Sequence, residues 1–153
     1  MVAKAATGPT TRLATVPKEI LDALDQADLA LHNGDARPRK QIWSHEAPVT
    51  LFGAVETSMG WDDVGKTFDW LASRFSNCQS SRQEVIAAET SGDLAYVVAI
   101  EHTTVSMGGA PPAPYTLRVT TILRREGGQW KVVHRHGSPV QSDSRSNVWQ
   151  LKA

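Results

Sequence analysis

The sequence has a single cysteine, Cys78, among its 153 residues. One thiol cannot form a disulfide within the chain, so we expect a reducing compartment, the cytoplasm by default. The N-terminal stretch MVAKAATGPTTRLATV contains no apolar core of signal-peptide length. No window approaches the ~20 consecutive apolar residues that a membrane span requires. The sequence therefore predicts no contact with a membrane.

An excess of charge of one sign is also lacking, since 16 Lys and Arg residues balance 16 Asp and Glu residues. Binding to nucleic-acid phosphates needs clustered Lys and Arg, so no nucleic-acid partner is expected. The pairs Gly108-Gly109 and Gly127-Gly128 lie between predicted strands, so they are turns and not phosphate-binding loops. No cofactor is predicted from any of these patterns.

The length of the chain fits one globular domain, in which helical patterns come first and strand patterns follow. From the N-terminus we predict an arm at 1–16, a helix from Pro17 to about Asn33, a short helix from Pro38 to His45, a brief strand at Val49 to Gly53 and a helix from Trp61 to Phe75. Four strands follow: Gln79 to Thr90, Leu94 to Met107, and the two halves of the hairpin Tyr115 to Ser138. The predicted domain is 17–139, and the polar tail 140–153 carries Val148, Trp149 and Leu151, which we expect to dock on the domain or on a partner subunit.

The strand alternation predicts one sheet face that collects imidazoles on an apolar floor. If the last hairpin is symmetric about its Gly-Gly turn, His134 lies opposite Thr121 and His136 opposite Val119. A symmetric preceding loop then adds Tyr96 and His102 to the same face. One bulge in either loop would invert this assignment and turn Arg118 toward the pocket.

Imidazole titrates near neutrality, so His134 and His136 are candidate acid–base groups, with the Tyr96 hydroxyl as a third catalytic candidate. The predicted ligand contacts are His102, Arg118, Val119, Thr121 and Trp61. Two alternatives remain open for the histidines: purely structural hydrogen bonding, or convergence of His102, His134 and His136 on zinc. No metal site is predicted, because no cysteine cluster or same-face carboxylate accompanies them.

The opposite face combines small apolar residues with charge, including Glu101 and Arg118 as an expected cross-strand ion pair. A monomer would leave such a face open to water, and a sheet-mediated homodimer would cover it. The sequence therefore predicts a homodimer.

The order of elements and the closing motif LRVTTILRREGGQWKVVHRHGS resemble the nuclear transport factor 2-like, or ketosteroid isomerase-like, superfamily, above all its SnoaL-like and kinase-association-domain branches. The resemblance implies an α+β fold in which N-terminal helices pack in the concave face of a strongly curved, mainly antiparallel sheet, forming a cone-shaped barrel around a hydrophobic pocket. It also implies a homodimer packed through the sheets.

The resemblance leaves the function open, because members of this fold include enzymes, binders and assembly domains. Steroid isomerases of this fold place an Asp base near the end of the first strand, where this chain has Leu51 and Phe52. Steroid isomerisation by that mechanism is therefore not expected. We expect a protein that binds a small hydrophobic molecule, with cofactor-free isomerase, dehydratase or cyclase activity as its catalytic form. The alternative is a non-catalytic oligomerisation or ligand-sensing domain.

Overall fold

The computed structural model describes residues 14–140, in which helices come first and a long sheet follows. The helices are α1 (Lys18–Leu31), α2 (Arg37–Ile42) and α3 (Trp61–Arg74). Val148, Trp149 and Leu151 lie outside the described residues, so their docking stays a prediction. None of the described helices is both long enough and apolar enough to cross a membrane.

Seven strands form one sheet in the order β1-β4-β5-β6-β7-β2-β3. Their bounds are β1 (Ala14–Thr15), β2 (Thr50–Phe52), β3 (Thr57–Met59), β4 (Phe75–Ser91), β5 (Leu94–Met107), β6 (Ala113–Glu126) and β7 (Gln129–Pro139). Neighbouring strands are antiparallel except β2 and β7, which run parallel. The predicted four-stranded meander is therefore confirmed as β4 to β7.

The helices form where the sequence supplies an apolar stripe at helical spacing. In α3, Val64, Phe68 and Ala72 are buried on one side, and Asp62 and Asp63 lie in the first turn, where carboxylates interact favourably with the helix dipole. α1 begins directly after Pro17, whose fixed φ suits a helix start, and buries Ala27 and Leu31.

These stripes pack on one face of the curved sheet, here called the inner face. Its buried residues include Val97, Ala99 and Leu123, which share a core with Phe68 and Trp43. The edge of Trp43 meets the Phe68 ring at a centroid distance of 5.2 Å. The predicted α+β architecture, with helices in the concave face of a mainly antiparallel sheet, is confirmed. The opposite side of the sheet is called the outer face.

The last hairpin contains a bulge that sequence symmetry does not reveal. Its two-residue turn, Gly127 (φ 54°) and Gly128 (φ 80°), has the positive φ values of a type I′ turn. Leu123 pairs with Val132 as predicted, but the next pair is Ile122 with His134. Val133 is thus the extra residue, and every side chain beyond it changes face.

Two predicted pairings are consequently wrong. His134 lies opposite Ile122 and not Thr121, and His136 lies opposite Thr120 and not Val119. In a sheet a slip of one residue moves the whole set of side chains to the other face.

The pairing of β5 with β6 also differs from the prediction by one residue. Ala99 pairs with Val119, and Glu101 pairs with Leu117 and not with Arg118. The connecting loop is therefore centred on Gly109 and not between Gly109 and Ala110. The expected Glu101–Arg118 ion pair is wrong, because the two side chains lie on opposite faces.

Other differences concern element ends. β4 begins at Phe75, before the predicted start at Gln79. Its first residues are mostly exposed and show no apolar alternation, so the sequence pattern did not reveal them as part of the strand. α2 ends at Ile42, before His45. Ala14 and Thr15, assigned to the arm from sequence, pair with Thr90 and Glu89 of β4.

Candidate functional site

The structure separates the predicted site residues onto the two faces of the sheet. Val119 and Thr121 are buried on the inner face. The outer face carries the polar candidates Tyr96, His102, Arg118, His134 and His136. Trp61 is the first residue of α3, and its ring stacks on His45 at 3.8 Å between centroids. The prediction that the histidines share a face with Thr121 is therefore wrong, for the register reasons given above.

On the outer face, His134 and His136 lie beside Thr50 and Phe52 of strand β2, which runs parallel to β7. His134 Nδ1 and Thr50 Oγ1 form a hydrogen bond of 2.7 Å. The Phe52 ring meets both imidazoles edge-on, at 5.2 Å from His134 and 5.7 Å from His136. Burial, and secondly the neighbouring charge of His136, lowers the pKa of His134. His134 is therefore mainly neutral at pH 7.

A shallow groove of about 440 Å³ crosses the centre of the outer face. Its floor is apolar, with Ile86, Val98 and Ile100, and its polar rim includes Arg118 and His136. Such a surface is wide and open, which is typical of a face that another macromolecule covers.

The inner face holds a second set of ionisable side chains, here called the interior cluster. Its members come from α1 and the residue that follows it, from α2 and from three strands: Asp28, His32, Arg39, Glu101, Tyr115 and Arg135. Four of them, Asp28, His32, Arg39 and Glu101, are buried. Charged groups are almost never buried without a partner, so their contacts determine what this region can do.

Glu101 and Arg135 form a bidentate ion pair between β5 and β7. Arg135 Nη1 donates to Glu101 Oε1 at 2.7 Å, and Arg135 Nη2 donates to Glu101 Oε2 at 2.6 Å. Burial alone would lower the pKa of Arg135, but the charge and hydrogen bonds of Glu101 outweigh it, so this pKa is raised. Arg135 therefore stays charged throughout the physiological pH range.

Asp28 and Arg39 form the second ion pair, between α1 and α2. Arg39 Nη2 donates to Asp28 Oδ1 at 2.5 Å, and Ser81 Oγ donates to Asp28 Oδ2 at 3.2 Å. Burial would raise the pKa of Asp28, yet the charge of Arg39, together with smaller contributions such as the Ser81 hydrogen bond, outweighs it, and the pKa is lowered. Burial, and secondly the charge of Arg135, lowers the pKa of Arg39. The two guanidinium groups are thus close enough to repel each other.

His32 connects Asp28 to Tyr115. Its Nδ1 donates to the Asp28 carbonyl oxygen at 2.7 Å, and its Nε2 accepts a short hydrogen bond from the Tyr115 hydroxyl. Burial lowers the pKa of His32 and raises that of Tyr115. At pH 7 the histidine is therefore a neutral acceptor and the tyrosine a protonated donor, each already engaged by the other.

The lowered pKa of His32 predicts acid sensitivity that a substitution should reduce. The unfolded chain, in which the imidazole has its ordinary pKa of 6.5, binds more protons than the folded chain below that pH. The free energy of unfolding should therefore fall between about pH 7 and pH 5. We expect a shallower fall in His32→Gln, measured by urea denaturation at a series of pH values.

The matched control for this prediction is His45→Gln, which replaces an exposed imidazole on the same side of the sheet. This variant should keep the slope of the wild type. Equal slopes for His32→Gln and the wild type would contradict the assignment of a neutral, buried His32.

Next to the two ion pairs lies a small cavity of about 10 Å³. It is lined by Leu24, Arg39, Trp43, Gln83, Glu101, Thr121, Val132 and Arg135. The Oε1 atom of Gln83 is buried there and has no hydrogen-bond partner among the described residues. The cavity accommodates about one water-sized group, so side chains fill most of the cone. Within residues 14–140, no group of three or more His, Cys, Asp and Glu side chains is arranged to hold a metal ion.

The interior cluster could have been found from sequence by one signal. Asp28 and His32 lie on the same helical stripe as the core residues Ala27 and Leu31. Ionisable side chains at core positions indicate a buried polar network. Sequence reasoning used the stripe to place the helix and did not draw that conclusion.

Comparison with known proteins assigns the fold to a family. The sequence profile of the SnoaL-like domain matches residues 20–142. The chain belongs to the SnoaL-like domain family. No curated protein matches the chain.

Solved structures give this SnoaL-like domain the same fold at low sequence identity. A nuclear transport factor 2-like superfamily protein from Salmonella enterica has a TM-score of 0.72 at 15% identity, covering 85% of this chain and 94% of that one. A putative calcium/calmodulin-dependent protein kinase II association domain from Xanthomonas campestris has a TM-score of 0.64 at 15% identity, covering 86% and 96%. A Caulobacter vibrioides protein with a cystatin-like fold has a TM-score of 0.61 at 20% identity, covering 89% and 98%. The SnoaL-like domain thus has the nuclear transport factor 2-like cone.

Proposed function

We propose that this SnoaL-like domain binds a small organic molecule inside the cone and acts as a homodimer. The observation that carries the proposal is the interior cluster. A buried ion pair is often no more stabilising than apolar residues of the same volume, so a fold has no general need for two of them. Ionisable groups with perturbed pKa values cluster at functional sites.

The lining of the cavity indicates the chemistry of the ligand. Among the described residues Arg39 makes one side-chain hydrogen bond, to Asp28, which leaves guanidinium donors for a ligand oxygen. Leu24, Trp43 and Val132 supply an apolar wall. This combination fits a small, largely hydrophobic molecule that carries a carbonyl or carboxylate oxygen. Since the cavity holds about 10 Å³, binding requires Leu24 or Trp43 to move aside.

The experiment is a thermal-shift screen of short aliphatic and aromatic ketones and carboxylic acids, followed by calorimetric titration of the best compound. We expect Gln83→Leu and Thr121→Val to weaken its binding at least about tenfold, because each removes a polar group from the cavity with little change of volume. Both variants keep the two ion pairs.

The controls are Arg118→Gln and His136→Gln, which alter only the outer face. They should leave the affinity unchanged. If these variants weaken binding and the cavity variants do not, the ligand site is on the outer face and the interior proposal is wrong.

Catalysis is a separate part of the proposal. Roles for His134, His136 and Tyr96 in a cofactor-free isomerase, dehydratase or cyclase stay predictions, and they require a substrate on the outer face. Inside the cone, the two groups that could transfer a proton, His32 and Tyr115, are hydrogen-bonded to each other. Binding without turnover therefore agrees better with the interior geometry.

Exposed apolar side chains on the outer face support the proposed homodimer. Ile86 is 58% exposed, and Tyr96 and Ile122 are also exposed on this side of the sheet. Together with the floor of the groove they form an apolar surface that a second copy would cover. The cytoplasmic location expected from the single cysteine stays a prediction.

A second candidate is a non-catalytic association domain, favoured by the small size of the interior cavity. One structural neighbour is named as a kinase association domain. This alternative predicts no specific ligand in the screen. It also predicts assemblies larger than a dimer in sedimentation velocity, whereas the proposed function predicts a dimer.

A further inference from the structure

The interior cavity contains a hydrogen-bond acceptor that lacks a donor. Gln83 lies on β4 in register with Glu101 of β5, and its side chain lines the cavity. Its Oε1 atom is buried and has no hydrogen-bond partner within residues 14–140. A buried acceptor without a donor lowers the stability of a protein, so native structures contain few of them and generally pair them with a further group. A ligand that enters the cavity can therefore gain affinity by donating an N–H or O–H to Gln83 Oε1.

Arg39 offers the opposite function on the same lining. Among the described residues its guanidinium donates one side-chain hydrogen bond, to Asp28, although the group carries several N–H donors. It also lies 5.6 Å from the centroid of the Phe68 ring, a contact that uses the face of the guanidinium and leaves the N–H groups in its plane available. The lining thus combines donors at Arg39 with an acceptor at Gln83.

The charges around the cavity favour an uncharged ligand. The carboxylates of Asp28 and Glu101 already balance the guanidinium groups of Arg39 and Arg135. An ionised ligand would add an unbalanced charge to this buried region, which is costly. For an anion the cost is higher still, because Asp25 of α1 lies close enough to Glu101 to interact with its charge and adds a third carboxylate nearby.

We infer that the cavity is specific for a neutral carboxamide, whose carbonyl oxygen accepts from Arg39 and whose N–H donates to Gln83 Oε1. The inference rests on the proposed interior site and narrows its ligand class to amides. Both side chains line a cavity that holds about one water-sized group, so one small functional group contacts both. The Thr121 hydroxyl and the Glu101 carboxylate, on the same lining, have lone pairs for a second N–H.

The test compares three ligands of nearly equal shape: isobutyramide, isobutyrate and 3-methyl-2-butanone. In calorimetric titration at pH 7, we expect the amide to bind at least about tenfold more tightly than the ketone, because the ketone leaves Gln83 Oε1 unpaired. The amide should also bind at least about tenfold more tightly than the carboxylate, which brings a charge and no donor.

The variant Gln83→Met nearly preserves the length and volume of the side chain and removes its acceptor. Its affinity for the amide should fall at least about tenfold, and the preference for the amide over the ketone should be lost. Because the change removes an unpartnered polar atom, the variant should withstand urea at least as well as the wild type, which separates lost selectivity from unfolding. Gln129→Met, the same change at an exposed position of β7, should keep the wild-type preference.

The possible failures distinguish the amide inference from the proposed site. Equal binding of amide and ketone by the wild type, or tighter binding of the carboxylate, would overturn the specificity for amides and leave the interior site in place. An unchanged preference in Gln83→Met would overturn the role of Gln83. If neither these compounds nor the matched set benzamide, benzoate and acetophenone bind, the proposed interior site itself is wrong.

Discussion

Replacing Arg135 with methionine is expected to lower the free energy of unfolding by about 3–5 kcal/mol. The substitution keeps most of the side-chain volume but leaves Glu101, which is 4% exposed, without the two hydrogen bonds that Arg135 donates. An ionised carboxylate in that position loses the only cation that donates hydrogen bonds to it among the described residues, and little water reaches it. Chemical denaturation of the purified domain at pH 7 measures the loss.

The matched variant removes both charges together, as Arg135→Met with Glu101→Leu. Because no unpaired charge remains, we expect this double variant to regain most of the stability that Arg135→Met loses. A loss below about 1 kcal/mol in Arg135→Met would be typical of an exposed pair and would contradict the burial of this one. A double variant as unstable as the single one would show that packing, and not charge, dominates at this position.

The elements themselves could be predicted because their signals are local. The stripe of Val64 and Phe68 predicts α3, and the alternation through Leu117 and Leu123 predicts β6. Turn glycines mark the hairpins. These patterns determine which residues lie in a helix or strand, and the family resemblance of their order and closing motif supplied the fold.

The face of the sheet on which each side chain lies could not be predicted, because a shift of one residue in the pairing of two strands reverses it. Val133 bulges, and the β5–β6 loop is centred on Gly109, so the expected pocket residues Tyr96, His102, His134 and His136 lie on the outer face. A pattern of period two looks the same on either face. Only the packing of the helices determines which face becomes the interior.

The interior cluster is a second case in which strand register, and not a local sequence pattern, determines the face on which a side chain lies. Glu101 is on the face that we expected at the dimer interface, yet it pairs with Arg135 beneath the helices. Their separation of 34 residues carries no local signal, since a long-range pair is visible only once strand order and register are known. Glu101, which lines the proposed ligand cavity, is therefore a side chain that sequence reasoning placed at the interface.

Replacing Asp28 with asparagine is the second change expected to be strongly destabilising, again by roughly 3–5 kcal/mol at pH 7. Asparagine preserves the shape but removes the negative charge that balances the buried guanidinium of Arg39. The pKa of Asp28 is lowered in the folded state, so its charge stabilises the fold above the ordinary pKa of 3.8. The difference between variant and wild type should therefore shrink as the pH falls through the folded-state pKa.

Asp25→Asn is the matched control, because it makes the same chemical change one helical turn earlier on α1. Partial burial, and secondly the charge of Asp28, raises the pKa of Asp25, so at pH 7 its negative charge opposes folding. We expect Asp25→Asn to leave the free energy of unfolding unchanged or slightly higher, while Asp28→Asn lowers it. Denaturation curves for the two variants test this contrast in one experiment. Equal losses for both variants would mean that loss of negative charge on α1, and not the pairing of Asp28 with Arg39, causes the destabilisation.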